Sequence, residues 1–245
     1  MPYLFLSPST QDWNLYVNTG NEEYWMNRIA DAMLPYLHAA GINVTRNNPR
    51  GTVLTSVRQS NMGNYDFHLA LHSNAAPGQS AGQVRYSIVF YYPTSLDGLR
   101  MANILVDNFK RIYPLPDEVR AEASATITEL RRTRAPVAFF EIAFHDNPDD
   151  ADWIVNNVEE IAANIAESVT EYFGLPFLMP RSTNVGTVAL DSGRLNLRGA
   201  PELTAPIIRT IPNGSVISIL GQFGSWYSAE YRGDYGWVNS NYIRF

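Results

Sequence analysis

The sequence predicts an α/β fold, a mostly parallel sheet flanked by helices, followed by a small all-β barrel. Three observations carry this. Over about the first 180 residues, apolar β-type runs alternate with stretches of helical periodicity, as in strands joined by crossover helices. Beyond Val185, short β-rich pieces are separated by turn residues at Asp191-Ser-Gly, Pro212-Asn-Gly, Gly224-Ser and Arg232-Gly-Asp. Charge divides at the same place: residues 1–180 carry 12 basic and 20 acidic side chains (net −8), and residues 181–245 carry 6 and 4 (net +2).

Element by element, Pro2–Leu6 is a short apolar run ending in Ser-Pro-Ser, a strand entering a loop. From Glu22, Trp25, Ile29, Met33 and Tyr36 recur at helical spacing, Pro35 is positioned to kink the helix, and Gly41 supplies a stop. Asn43–Arg46 is a second strand. Asp66–His72 (DFHLALH) is a third, apolar enough for a buried parallel strand. Val84–Tyr92 is β-rich, Leu96–Ile112 is an amphipathic helix, and Val137–Ile142 is another buried strand. Asp149–Phe173 reads as one long helix with Trp153, Ile154, Val158, Ile161 and Ile165 on a face. After Gly174, LPFLMPRSTN concentrates turn-breaking residues and reads as a linker.

Composition excludes several classes. The chain has 245 residues, 45% hydrophobic and 17% charged, enough for a packed core. A net charge of −6, with Lys110 as the single lysine, argues against nucleic-acid binding and against a polybasic membrane patch. The absence of cysteine rules out disulfides, Cys-ligated metals and thiol catalysis. No apolar run is long enough to span a membrane. The opening MPYLFLSPST lacks a basic n-region and a long apolar h-region, so no signal peptide is visible. Either a leader was removed or the protein leaves the cell by another route.

Ligands of parallel α/β sheets sit at the carboxyl ends of the strands. There the sequence sets Gln11 and Asp12 after the first strand, and His72-Ser73-Asn74 after DFHLALH. Glu141 with His145-Asp146-Asn147 follows VAFF, and Glu22-Glu23 open the first helix. Two imidazoles, two or three carboxylates and an amide on one rim suit a zinc hydrolase, which also needs a carboxylate near the metal-bound water. The plainer reading stays open: a strand His is ordinarily a hydrogen-bonded core residue, and a Glu at a helix start is ordinarily favoured by the helix dipole. Glu141 is harder to explain that way, because an unpaired carboxylate in a buried strand is costly.

Four stretches closely resemble the zinc-dependent N-acetylmuramoyl-L-alanine amidases of the Amidase_3 type: NEEYWMNRIADAMLPYLHAAGINVTR, YDFHLALHSNAA, ITELRRTRAPVAFFE and EIAFHDNPDDADWI. The resemblance implies that His72 matches the second zinc histidine, Glu141 the catalytic glutamate, and Glu22 or Glu23 the ligand glutamate. Glu22 is preferred, since that register sets Trp25, Ile29 and Met33 on the apolar positions, whereas Glu23 would bring Arg28 onto that face. One departure stands out. The family's first zinc histidine lies in a DPGHGG loop, which here reads SPSTQDW with no His before His38, itself expected at the surface. His145, Gln11 and His68 are the candidates to replace it, in that order. His68 comes last because four strand residues span roughly 13 Å.

The C-terminal segment resembles a bacterial SH3 (SH3b) domain through LNLRGAPE and VISILGQFGSWYSAEYRGDYGWVNSNYI. Trp226 and Val238 are expected in the barrel core. Tyr227, Tyr231 and Tyr235 are candidates to stack on peptide or sugar. The implied organisation is a zinc amidase domain over 1–176, a linker over 177–184 and an SH3-like wall-binding barrel over 185–245. The implied activity is hydrolysis of the amide between N-acetylmuramic acid and L-alanine of the peptidoglycan stem peptide. It uses Zn2+ held by Glu22, His72 and His145, with Glu141 catalytic and with Gln11 and Asn74 supporting the site or substrate. Arg131 or Arg132 is a candidate to face substrate carboxylates. The expected partner is peptidoglycan, with no nucleic acid and no membrane insertion. The expected state is a monomer acting outside the cell or at the wall, as an autolysin or endolysin. A wall-binding pseudo-amidase and a zinc peptidase acting on stem peptides are the alternatives.

Overall fold

The computed structural model describes residues 2–182 and 184–245; Met1, and Thr183 within the expected linker, lie outside the described residues. The first sheet is built from β1 (Tyr3–Pro8), β2 (Asn43–Arg46), β3 (Phe67–Asn74), β4 (Ser87–Tyr91), β5 (Val119–Ala123) and β6 (Val137–Phe144), in the order β2-β1-β3-β6-β4-β5. All neighbours run parallel except β4, which is antiparallel to β6. The helices are α1 (Glu22–Ala39), α2 (Val53–Met62), α3 (Leu96–Phe109), α4 (Thr128–Arg132), α5 (Pro148–Asn156) and α6 (Val158–Tyr172).

Strand alternation sorts the residues of β3. Leu69 and Leu71 enter the main core with Met26, Ile29 and Met33 of α1 and Ile161, Ile165 and Val169 of α6. His68, Ala70 and His72 face the other way. There Ala70 packs in a smaller cluster with Leu130, Val137 and Phe139. Parallel pairing sets His72 of β3 directly beside Glu141 of β6. Immediately afterwards the register slips, so that Asn74 pairs with Phe144. Such a bulge re-aims side chains at the strand ends.

Two sequence expectations change. The long helix expected over 149–173 is two helices, because Asn157 leaves helical geometry (φ −124°, ψ 25°) and its Nδ2 donates to the Trp153 carbonyl at 2.7 Å. Asn competes with helical bonds in this way. His38 is half-buried rather than at the free surface, stacked on Tyr235 with ring centroids 4.0 Å apart. α2, α4 and β5 are elements the periodicity does not disclose. α4 has only five residues, too few to display a period.

The second sheet contains β7 (Asn184–Val188), β8 (Arg194–Arg198), β9 (Ile207–Pro212), β10 (Val216–Phe223), β11 (Trp226–Tyr231), β12 (Asp234–Asn239) and β13 (Ile243–Arg244). Its order is β13-β7-β10-β11-β12-β8-β9, antiparallel throughout. Val188, Leu197, Ile211, Ile217, Ala229 and Val238 fill its core, and Trp226 is buried. Trp237 is fully buried against Gly41 at the end of α1. Gly41 has φ +77°, and a Cβ there would lie 2.7 Å from the indole nitrogen. Asn43 adds two hydrogen bonds to the backbone of Tyr235, donating at 3.2 Å and accepting at 3.3 Å.

Candidate active site

The site lies where β1, β3 and β6 end and α1 begins. Asn21 caps α1, its side chain accepting from the Tyr24 N–H at 2.8 Å. The cap leaves Glu22 in the first turn, 1% exposed and turned toward the sheet. Glu22 Oε1 lies 2.7 Å from His72 Nδ1, and Asn14 Nδ2 donates to Oε2 at 2.6 Å. Gln11, on the loop after β1, sets its amide 3.2 and 3.4 Å from the two Glu22 oxygens and 3.4 Å from His72 Nδ1. Glu23 points elsewhere, accepting from Asn27.

The His72 ring is stacked on Phe139, centroids 4.2 Å apart, and its Nε2 is 3.5 Å from Glu129 Oε2 on α4. Burial alone would lower the His72 pKa, but Glu129 and Glu22 reverse this and raise it to about 10. For Glu22, burial pushes upward, and the hydrogen bond and charge of His72, with Asn14, hold the carboxyl below its usual range. Glu141 stands apart: its Oε2 is sheltered from solvent and has no hydrogen-bond partner. Burial, reinforced by Glu22 and Glu129 against the opposing pull of His72, raises its pKa from 4.5 to about 7.

The other candidates are placed differently. His145 is buried beside Ser73, its Nδ1 2.9 Å from the Ser73 carbonyl and 3.0 Å from its hydroxyl, and it stacks on Tyr16 at 5.4 Å. Ser73 follows His72 on the strand and so points to the opposite face. Gln11, not His145, is therefore the side chain in contact with both Glu22 and His72. The Asn74 side chain accepts from the N–H of Ala75 at 2.8 Å, a local loop bond. Its carbonyl accepts from the N–H of His145. Arg131 and Arg132 are exposed.

His68 does reach the site, through a residue the sequence reading missed. Glu129, 2% exposed, accepts from Ser7 Oγ at 2.8 Å and lies 3.2 Å from His68 Nε2. A buried His on the His72 face requires a polar partner, and that requirement was the available signal. Beside these groups opens a cleft of about 290 Å³, lined by Gln11, Trp13, Val53, His72, Glu129 and Phe139 among others. Trp13 is 66% exposed at its edge.

Among the described residues, no group of three or more His, Cys, Asp or Glu side chains is arranged to hold a metal ion. The donor set nevertheless fits one once the amide is counted. Rotating the Gln11 carboxamide, whose two ends are sterically alike, turns its oxygen toward Glu22 and His72. The Glu22 carboxylate, the His72 imidazole and the Gln11 carboxamide lie 2.7 to 3.4 Å apart. The orphaned Glu141 oxygen is beside them and lacks any other partner.

Comparison with known proteins matches residues 12–171 to the N-acetylmuramoyl-L-alanine amidase family and residues 193–244 to the bacterial SH3 domain. A curated endolysin of Bacillus phage SPP1 is 27% identical over 125 residues, covering 50% of this chain and 46% of that protein. The chain thus spans about half the length of the curated relative it matches. The N-acetylmuramoyl-L-alanine amidase AmiC2 of Nostoc punctiforme superposes with a TM-score of 0.63 at 13% identity, over 71% of this chain and 97% of that one. The catalytic domain of CwlV, an amidase from Bacillus (Paenibacillus) polymyxa var. colistinus, gives 0.61 at 14%, over 72% and 100%. The catalytic domain of the CD27L endolysin targeting Clostridia difficile gives 0.57 at 20%, over 70% and 98%. At such identities the structural likeness speaks for the fold.

Proposed function

The chain belongs to the N-acetylmuramoyl-L-alanine amidase family, and from that premise we propose that it hydrolyses the amide joining N-acetylmuramic acid to L-alanine in peptidoglycan. The observation that carries the reading is the convergence of Gln11, Glu22 and His72 beside the unpartnered Glu141 oxygen. Glu22, His72 and Gln11 would hold zinc, the metal characteristic of the family. When bound, the ion acidifies a water molecule and polarises the scissile carbonyl.

The chain's own residues do the rest. Asn14 orients the Glu22 carboxylate. Phe139 fixes the plane of the His72 ring. Glu141 Oε2 takes the proton of the attacking water and passes it to the departing alanine nitrogen, a role suited to a carboxylate titrating near neutrality. The cleft between Trp13 and Val53 receives the substrate. The barrel holds the enzyme at the wall, raising the local substrate concentration without touching the chemistry. Action is accordingly outside the cell or at the wall, and no helix among the described residues is long and apolar enough to cross a membrane.

Digestion of purified wall tests the reading. Amidase action frees the amino group of L-alanine and leaves the glycan intact. A different new amino terminus would identify a peptidase, and binding without new amines a non-catalytic wall binder; either overturns the proposal. Glu141→Gln is expected to lower turnover about 10²- to 10⁴-fold while zinc stays bound.

A further inference from the structure

Glu129 is a buried carboxylate 2% exposed, and the chemistry above leaves it without a task. Burying an ionised carboxylate is expensive unless donors surround it. Here three donors come from two strands. Ser7 Oγ of β1 donates to Oε1 at 2.8 Å, His68 Nε2 of β3 approaches Oε1 at 3.2 Å, and His72 Nε2 approaches Oε2 at 3.5 Å. Beyond His68, the Ser60 hydroxyl of α2 lies 3.0 Å from Nδ1. An acceptor carboxylate at Nε2 calls for a proton there, and the Ser60 hydroxyl, able to donate or accept, satisfies Nδ1. Three elements thus fix the position of Glu129 on α4, more than the structural burial of one histidine needs.

The two faces of the His72 ring edge are chemically distinct. Nδ1 points at Glu22 and Gln11, and Nε2 points at Glu129. With Glu129 on the Nε2 side and Glu22 and Gln11 on the Nδ1 side, the ring is oriented so that Nδ1 faces the proposed metal ligands, the arrangement in which an outer carboxylate orients a ligating imidazole.

We propose that Glu129, anchored by Ser7 and by the His68–Ser60 pair, is a positioning residue that fixes the orientation of the His72 ring, presenting Nδ1 to the metal. The inference rests on the proposed function in one respect, namely that a metal is bound at Nδ1. Its test therefore has two arms. The first is zinc affinity of the full chain, measured by competition with a chromogenic chelator. Glu129→Gln is expected to weaken binding about 10- to 100-fold. The second needs no metal: ¹⁵N NMR of the His72 ring in the metal-free chain is expected to show an Nε2 resonance that moves in Glu129→Gln.

Because a lone Gln beside His68 could impair folding, the paired variant His68→Phe with Glu129→Leu removes the buried carboxylate together with its imidazole partner, leaving only the neutral hydroxyls of Ser7 and Ser60 to find new acceptors. It is expected to fold with the same circular dichroism and the same weakened zinc binding, which a purely structural role would not produce. An Nε2 resonance unchanged by both variants overturns the proposal, as does undiminished zinc affinity. Failure of the parent chain to bind zinc at all would instead strike the metal reading of the site, and the ring resonances would still judge Glu129.

Discussion

A single buried oxygen, Glu141 Oε2, concentrates much of what the site can do. Its carboxyl pKa stands at about 7 in the metal-free chain against 4.5 for an ordinary glutamate, chiefly through burial. The native state thus holds a proton that the unfolded chain has released between those values, so stability falls as pH rises from 4.5 to 7 and the cost persists above. Metal-free Glu141→Gln is therefore expected to be more stable than metal-free parent at pH 8, by up to about 3 kcal/mol, and to match it at pH 4, as read by urea unfolding. For the proposed hydrolysis, a base works when ionised, so kcat/KM is expected to fall on the acid side with an apparent pKa at or below about 7, since a nearby cation pulls the value down. Gln11, the proposed third metal ligand, is the other residue to test. Gln11→His offers imidazole in place of a weaker amide ligand and is expected to raise zinc affinity by an order of magnitude, while Gln11→Ala lowers it. His145→Ala, which alters a ring held by Ser73, is expected to leave zinc content unchanged. Metal analysis of the three purified variants checks this.

At the scale of elements, the site depends on how strands and helices end. α1 begins at a capped Asn21, which sets Glu22 in its first turn. The bulge between β3 and β6 comes immediately after the His72–Glu141 pair. α5 begins at Asn147, whose Oδ1 accepts from Asp149 N at 3.0 Å and Asp150 N at 3.3 Å, while its Nδ2 donates to the Gly82 carbonyl. Asn147→Ala removes the cap and a tie to the neighbouring loop, and is expected to cost about 1–2 kcal/mol in denaturant unfolding. The six strands of the first sheet and the long helices are legible because their apolar period is local, with β5 the exception: VRAEA has a single buried position and runs at the sheet edge. α4 is illegible for a related reason, since five residues show no period, yet it delivers Glu129.

For the whole molecule, the amidase-type sheet and the barrel share an interface at the end of α1. His38 stacks on Tyr235, Gly41 receives Trp237, and Asn43 bonds the Tyr235 backbone in both directions. Phe177 stacks on Tyr36 with centroids 5.6 Å apart, so the connecting segment is itself packed. Tyr235, a candidate for stacking on a wall ligand, is committed to this contact. Asn43→Ala leaves the Tyr235 backbone without its partners and is expected to lower the melting temperature of the barrel relative to the sheet, at a cost of about 1–3 kcal/mol. Scanning calorimetry is the check, and an unchanged profile would mean the two Asn43 bonds contribute nothing to stability.

What the chain's order of residues determined by itself is whatever repeats over a few positions: the alternating strands and helices, the turn-punctuated barrel, and the appearance of Glu22, His72 and Glu141 at element ends. What only the tertiary structure decided is which groups separated by long stretches of chain meet. Gln11 approaches His72, 61 positions away, because β1 and β3 pair in parallel, whereas His145 is bonded to Ser73 on the reverse face of the same strand. Glu129 joins His68 to His72 because α4 packs beneath β3 and β6. Periodicity reports the face a residue occupies; only strand register and helix packing fix the neighbour waiting there.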